Sequence, residues 1–302
     1  MTITNPYTSQ AISGYNTSPP SDDGSQTSSN RVEWAKHKTK LGDPIKTLAE
    51  AVNSQTLSAF SSLISYIESA QPSNMIINPD FRVAQLGTTF TATTQTVNND
   101  DTYLLDQWIL LAEGADTVDV SQSTTTVPKG SYSSIALDVE TANRKFGILQ
   151  IIEARDAARI LGGSASLSFQ ARISGSSLTK LRAAIITWNG TADSVTSDII
   201  SAWGAVGVNP TLVANWTYEN TPADLTTPTT SFQTYTVESV AIDTASGKNV
   251  GVFIWSDAKT TTIGDFLYIA NVNLVPGTKA LDTTARLFET EMALCQRHLE
   301  KS

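Results

Sequence analysis

Ala165-Ser166-Leu167-Ser168-Phe169-Gln170-Ala171-Arg172-Ile173 is the stretch of this sequence that decides the fold class. Apolar and polar residues alternate along it without a break, which is the period of a β-strand with one buried face. The period of two recurs in short segments between residues 75 and 276. We therefore predict that the chain is mainly β and that residues 74–277 form an antiparallel β-sandwich.

Eight further segments share this pattern and are separated by turn residues, among them Asn189-Gly190 and Pro128-Lys129-Gly130. They are predicted as strands over residues 104–111, 117–121, 133–140, 146–153, 183–188, 232–240, 249–255 and 266–274. The segment 153–161 is expected to be a helical turn or a loop. Residues 203–230 are rich in Thr and Pro and are expected to form an elaborated loop.

The composition excludes several classes of protein. The 302 residues include 20 Lys and Arg against 29 Asp and Glu, a net charge of −9, which weighs against a nucleic-acid partner. Only 16% of the residues are charged, fewer than the usual quarter or so, which suits a Ser- and Thr-rich β protein better than a helical enzyme. Without a long apolar run or a basic, apolar N-terminal segment, we expect neither membrane insertion nor Sec-type export.

The N-terminal region divides into an arm and a helical segment. Residues 1–30 are low in apolar residues and predict an extended arm that is ordered only on a partner. Residues 31–73 predict a short helix and then a long one, from Pro44 to about Ala70, with apolar residues at steps of three and four. This stripe fits either docking on the chain's own domain or a self-associating bundle. The candidate trimer-interface residues are Ile45, Leu48, Val52, Phe60, Leu63 and Ile67.

The C-terminal region, residues 278–302, predicts a helix from about Thr283 to Lys301. Its apolar residues step by four and three and form one stripe. Cys295 lies on this stripe and is expected to be a buried hydrophobe rather than a nucleophile. The stripe comprises Leu281, Ala285, Phe288, Met292, Cys295 and Leu299.

No catalytic or cofactor motif stands out. The two histidines lie outside the sandwich, and neither G-x-S-x-G nor a phosphate-binding P-loop occurs. We expect no enzyme activity and no cofactor. Two pairs of acidic residues could supply the two carboxyl groups of a glycoside hydrolase: Glu153 with Asp156, or Asp116 with Asp119. Such pairs also arise by chance among 29 acidic residues.

Two further groups are candidate binding residues. Asn98-Asn99-Asp100-Asp101 offers oxygen ligands that suit calcium, with Asp100 and Asp101 as the candidates, although such a cluster is also an ordinary turn. Aromatic residues in or near the long loop could stack on sugar rings, or could pack under the loop or against a neighbouring subunit. They are Trp188, Trp203, Trp216 and Tyr218.

Two parts of the sequence resemble known families. Asn74-Met75-Ile76-Ile77-Asn78-Pro79-Asp80-Phe81, followed by Trp108 and closed by residues 267–277, resembles the first and last strands of galactose-binding-like jelly rolls, such as carbohydrate-binding modules. This resemblance implies a jelly roll over residues 74–277.

The two ends of the chain resemble tailed-bacteriophage fibre and head-fibre proteins. The segments concerned are residues 19–24, Trp34-Ala35-Lys36-His37, residues 42–48 and Glu291-Met292-Ala293-Leu294-Cys295-Gln296-Arg297-His298, where His298 replaces a commoner aromatic residue. The resemblance implies a non-enzymatic homotrimer in the virion, made in the bacterial cytoplasm and attached to capsid, portal or tail proteins. A glycan-binding receptor protein is the alternative, and a depolymerase is a third. The candidate particle anchor comprises Pro19, Pro20, Asp22, Asp23 and Trp34.

Overall fold

The computed structural model describes residues 50–52, 54–58, 73–93, 98–242, 246–283 and 286–299. The chain divides into two units, residues 1–71 and 72–302. In the first unit, residues 50–52 and 54–58 are helical. The predicted anchor, Pro19, Pro20, Asp22, Asp23 and Trp34, lies outside the described residues, as do Ile45, Leu48, Phe60, Leu63 and Ile67. Within the described part of the chain, no helix is long and apolar enough to span a bilayer.

The second unit is an antiparallel β-sandwich, which confirms the predicted fold class. It is built from short strands and two helices in the described part of the chain, α1 (Ala154–Ala157) and α2 (Phe288–Leu299). The strands are β1 (Thr89–Phe90), β2 (Thr102–Tyr103), β3 (Ile109–Ala112), β4 (Val118–Ser123), β5 (Ser134–Val139), β6 (Phe146–Ile152), β7 (Ser164–Ile173), β8 (Leu181–Trp188), β9 (Ile200–Ala202), β10 (Thr211–Leu212), β11 (Trp216–Tyr218), β12 (Gln233–Ala241), β13 (Asn249–Ser256) and β14 (Phe266–Pro276).

Two six-stranded sheets face each other. The front sheet has the order β1-β4-β5-β14-β7-β12, and the back sheet has the order β11-β8-β13-β6-β3-β2. Every pairing between these strands is antiparallel. The alternation in β7 explains its position: Leu167, Phe169 and Ala171 enter the core between the sheets, while Ser168 and Gln170 lie on the opposite face.

The back sheet is buried on both faces. In β13, Val252 and Ile254 belong to the core between the sheets, whereas Phe253 and Trp255 belong to a second apolar cluster on the other face. Strands covered on both faces read as continuous apolar runs, and β8 and β13 are buried along their whole length. Trp108 and Trp255 are core residues, as predicted.

Three local predictions need correction. The strand predicted over residues 104–111 begins only at Ile109, because a turn precedes it: the Trp108 amide donates to the Leu105 carbonyl at 3.0 Å, and Gln107 has a φ of 75°. The loop predicted over residues 203–230 contains β10 and β11. The C-terminal helix begins at Phe288 rather than near Thr283.

The buried face of α2 also differs from the predicted stripe. Cys295 is fully buried, as expected, but Phe288 is 47% exposed. The charged residue Glu291 is buried instead. Its carboxylate accepts hydrogen bonds from the Arg286 guanidinium at 3.1 Å and from the backbone amide of Asn78 at 2.5 Å. An apolar stripe could not reveal that a carboxylate is held inward by an arginine and a backbone amide.

Candidate functional site

A polar pocket of about 330 Å³ opens on the outer face of the front sheet. One wall is the segment 277–283, which crosses this face after β14: the Ser168 hydroxyl donates to the Leu281 carbonyl at 2.6 Å, and the Asn273 amide donates to the same oxygen at 2.8 Å. The pocket is therefore held by strands and by a segment bonded to them. It is lined by Lys129, Ser168, Phe169, Gln170, Thr234, Asn271, Asp282 and Thr283.

Asn271 lines this polar pocket and is hydrogen-bonded to three of its neighbours. It lies at a register shift in β14 and has a φ of 53°, a left-handed conformation that asparagine adopts more readily than most residues. Its side-chain amide nitrogen donates to the Gln170 side-chain oxygen and to the Ser131 hydroxyl, both at 2.6 Å. Its backbone carbonyl oxygen accepts a hydrogen bond from the Thr283 hydroxyl at 2.6 Å. These bonds fix the orientation of the polar groups around the pocket.

A row of three rings and a guanidinium adjoins the polar pocket. Arg172 lies two residues beyond Gln170 on the same face of β7, with its guanidinium carbon 5.5 Å from the Tyr268 ring centre and 6.0 Å from that of Phe232. Tyr268 is stacked on Phe266 at 5.5 Å. This aromatic row brings cation–π contacts to the exposed face of the sheet. Tyr132, 63% exposed, belongs to the same loop as Lys129 and Ser131.

Several carboxylates meet at one end of the front sheet. Asp119 in β4 lies directly opposite Asp138 in β5. Burial, and then the charges of Glu140, Asp119 and Asp265, raise the pKa of Asp138 to about 6. Burial, and then Glu140 and Asp116, also raise the pKa of Asp119. Like charges opposite each other on a sheet are unfavourable, so this acidic corner is an electrostatically strained part of the surface.

The predicted calcium residues, Asp100 and Asp101, have different hydrogen-bond partners. Asp100 accepts a hydrogen bond from the Ala112 amide at 2.7 Å, while Asp101 is hydrogen-bonded to Ser197. Burial raises the pKa of each carboxyl. Among the described residues, no three His, Cys, Asp or Glu side chains form a metal-binding group.

The structure brings the four predicted sugar-binding aromatics together, but in a closed cluster. Trp188, Trp203 and Trp216 are each less than one-tenth exposed, and Tyr218 packs against the same group on the outer face of the back sheet. The ring centres of Trp188 and Trp216 lie 5.5 Å apart, and those of Trp203 and Phe253 lie 6.0 Å apart. In the described structure these rings pack under a loop and leave no open stacking platform.

The segment 189–213 covers this tryptophan cluster, and a buried ion pair holds it there. Lys145 directly precedes β6 and is fully buried. Its ammonium forms an ion pair with the equally buried Asp257. It also donates hydrogen bonds to the carbonyl oxygens of Ala205 at 2.8 Å and Trp203 at 3.3 Å. Asp257 also accepts from the Gly207 amide at 2.7 Å. Removing Asp257 would leave the buried Lys145 ammonium without its carboxylate partner, so the ion pair and these hydrogen bonds hold the cover in place.

The two carboxylate pairs noted in the sequence have separate surroundings. Glu153 and Asp156 both contact the Arg297 guanidinium, at 3.0 and 3.5 Å. Asp116 and Asp119 instead accept hydrogen bonds from Asn98, each at 2.9 Å. The sequence did not single out the residues of the polar pocket, because Ser, Thr, Gln and Asn on alternate strand positions are typical of any solvent-facing sheet.

No family model and no curated protein matches this chain. Several solved structures align with this chain. One is the enzymatically active domain of bacteriophage CBA120 tailspike protein 4, which is 15% identical in sequence, with a TM-score of 0.38. The alignment covers 68% of this chain and 21% of the tailspike chain. A second is TmCBM61 in complex with β-1,4-galactotriose, with 11% identity, a TM-score of 0.34, and 68% of this chain and 99% of that chain covered. A third is a xylan-binding domain of carbohydrate-binding module family 22, with 16% identity, a TM-score of 0.35, and 61% of this chain and 95% of that chain covered. This chain thus matches only about a fifth of the tailspike chain.

Proposed function

We propose that this protein is a non-enzymatic structural component of a bacteriophage virion whose β-sandwich binds glycans of the host surface. The observation that carries the glycan-binding role is the polar pocket of the front sheet. Its volume of about 330 Å³ is at the lower end of the usual range for small-molecule sites, about 300–1,000 Å³. Most such sites are largely apolar. Apart from Phe169, the residues that line this one carry hydroxyls, amides, one lysine and one aspartate, which suits a hydroxyl-rich ligand.

The same lining supports binding without cleavage. Among the described residues, Asp282 is the one carboxylate at the polar pocket. Glycoside hydrolysis uses two carboxyl groups that flank the scissile bond. The acidic corner contains several carboxylates, but Asp119 and Asp138 belong to strands on the other side of β14 from the pocket.

The virion role and the trimer follow from the resemblance of the chain's ends. Residues 1–30 would attach the protein to the particle, and residues 31–73 would associate into a three-stranded bundle. One feature of the described helical residues supports self-association: Val52 and Leu57 are more than half exposed in the single chain. Of the two, Val52 belongs to the predicted stripe, and an exposed apolar side chain of this size is available for contact with other copies.

Glycan binding is tested by calorimetry of the purified protein against oligosaccharides from the surface polysaccharides of the host. Gln170→Ala and Asp282→Ala are each expected to weaken binding at least tenfold, because each removes a polar contact of the pocket. Thr211→Ala, an exposed substitution beside the back sheet, is the control and should bind normally. Equal affinity in all three variants, or no affinity in the native protein, would refute the proposed site.

Two further measurements address the remaining parts of the proposal. Immunogold labelling of purified phage particles should decorate the virion, and unlabelled particles would contradict the virion role. Incubation with host polysaccharide should release no reducing sugar, and release would instead establish the depolymerase alternative.

A further inference from the structure

Arg172 is a partly exposed cation on the outer face of the front sheet, and it lacks an acidic partner. Among the described residues its guanidinium forms no ion pair. Its Nε atom is buried and has no hydrogen-bond partner, which is an unfavourable state for a charged donor. The side chain therefore holds hydrogen-bonding capacity that the described part of the chain does not use.

Aromatic rings from both neighbouring strands hold this guanidinium in place. Strand β7 lies between β14 and β12, and Tyr268 of β14 is directly opposite Arg172, while Phe232 immediately precedes β12. The guanidinium carbon is 5.5 Å from the Tyr268 ring centre and 6.0 Å from that of Phe232. Tyr268 is itself stacked on Phe266. Cation–π contacts orient a guanidinium without supplying oxygen acceptors for its five N–H groups.

Arg172 is close enough to the polar pocket for one ligand to reach both. Gln170 lines the pocket and lies two residues before Arg172 on the same face of β7. Two residues of a strand span about 7 Å. An oligosaccharide with hydroxyl groups in the pocket would therefore extend along β7 to the guanidinium.

The charges on this face decide where an anionic group of such a ligand would bind. The chain as a whole has a net charge of −9, and the polar pocket contains the carboxylate of Asp282 beside Lys129. Arg172, in contrast, has rings rather than carboxylates as its closest charge-sensitive neighbours. An anionic group is therefore expected at Arg172 rather than inside the pocket.

We propose that Arg172, flanked by Tyr268 and Phe232, forms a subsite for the carboxylate of an acidic sugar, such as a uronic acid. The inference rests on the proposed glycan-binding function and names the class of glycan: one in which carboxylate-bearing sugars accompany the hydroxyls bound in the polar pocket. A guanidinium binds a planar carboxylate through two parallel N–H···O hydrogen bonds. Rings on either side limit the access of water to this pair, which strengthens it.

The test compares two forms of the same ligand by calorimetry: acidic oligosaccharides from the host surface polysaccharide, and these oligosaccharides after reduction of their carboxyl groups to alcohols. We expect the native protein to bind the acidic form about ten- to a hundredfold more tightly, as for a hydrogen-bonded charge pair. This preference should shrink as salt is added. Arg172→Gln should bind both forms with similar affinity. Arg155→Gln, at an exposed arginine of α1, is the matched control and should keep the native preference.

The ratio of the two affinities separates a carboxylate subsite from a purely structural arginine. Gln170→Ala removes a pocket contact and should weaken binding of both forms while the ratio stays as in the native protein. Equal native affinity for both forms, or an unchanged ratio in Arg172→Gln, would overturn the subsite and leave the proposed glycan binding standing. Absence of binding to either form would refute both. Loss of binding on removal of phosphate from the polysaccharide, rather than on carboxyl reduction, would also overturn the subsite.

Discussion

Asn78 shows how single residues connect distant parts of this chain. Its side chain donates to the Val83 carbonyl at 2.8 Å and accepts from the Val83 amide at 2.9 Å, and its backbone carbonyl accepts from the Trp108 indole at 3.0 Å. Its own amide donates to Glu291 in α2. The segment near residue 78, which resembles jelly-roll proteins, and the segment near residue 291, which resembles bacteriophage proteins, therefore meet at one buried hydrogen-bonded junction.

Asp138 is a residue whose ionisation should oppose folding. Because its pKa is raised from 3.8 to about 6, the folded protein retains this proton over a range in which the unfolded chain has lost it. Stability therefore falls as pH rises from about 4 to about 6, and the loss persists above that range. We predict that Asp138→Asn raises the free energy of unfolding at pH 7.5 by about 1 kcal/mol, discounted for partial exposure.

Urea unfolding at pH 4 and pH 7.5 checks this prediction. The gain in Asp138→Asn should be present at pH 7.5 and nearly absent at pH 4, where the native aspartate is protonated in the folded state. Glu289→Gln, an exposed substitution at the start of α2, controls for a general charge effect. A gain of equal size at both pH values would contradict the electrostatic explanation.

At the scale of elements, the segment 189–213 determines what the back sheet can do. It contains β9 and β10 and covers the apolar outer face of that sheet, so Trp188, Trp203 and Trp216 stabilise the fold. Among the described residues, the segment 277–283 crosses the outer face of the front sheet and leaves the polar pocket open beside it. The same sandwich thus has one face closed by its own chain and one face available to a ligand.

Trp203→Ala tests this division of roles. Truncation of a buried tryptophan costs about 3–5 kcal/mol, so we predict a fall of about 3 kcal/mol in the free energy of unfolding, measured with urea. Affinity for glycan should not change, because the ring does not line the polar pocket. Val208→Ala, at an exposed position of the same segment, should have little effect on either quantity. Loss of glycan affinity with stability intact would return Trp203 to the sugar-binding residues.

At the scale of the whole molecule, assembly is the property that the proposed function requires. Size-exclusion chromatography with light scattering should give three times the mass of one 32.3 kDa chain. Val52→Asp places a charge in the predicted apolar stripe, so we expect it to shift the protein towards monomer. Ser54→Asp, at an exposed polar position of the same helical residues, should leave the trimer intact. A native monomer at micromolar concentration with its helix retained would exclude the trimer.

Local pattern was sufficient for the framework of this protein. The nine strands expected from the period of two are present, most with ends within two residues of those expected, because alternating burial is imposed by the two faces of a sheet. The strands that were not expected are β1, β2, β9, β10 and β11, which have two or three residues each. So short a strand has too little sequence for a period and forms only because a neighbouring strand offers hydrogen bonds.

The sequence by itself determined the two-sheet architecture, the burial of Trp108, Trp255 and Cys295, and the low charge of the chain. Only the tertiary structure decided which side chains meet. It closed the tryptophan cluster under the segment 189–213, and it brought Asn98 to Asp116 and Asp119. The physical reason is that burial along a strand depends on near neighbours in sequence, whereas a binding site depends on how loops from separate strands fold over one another.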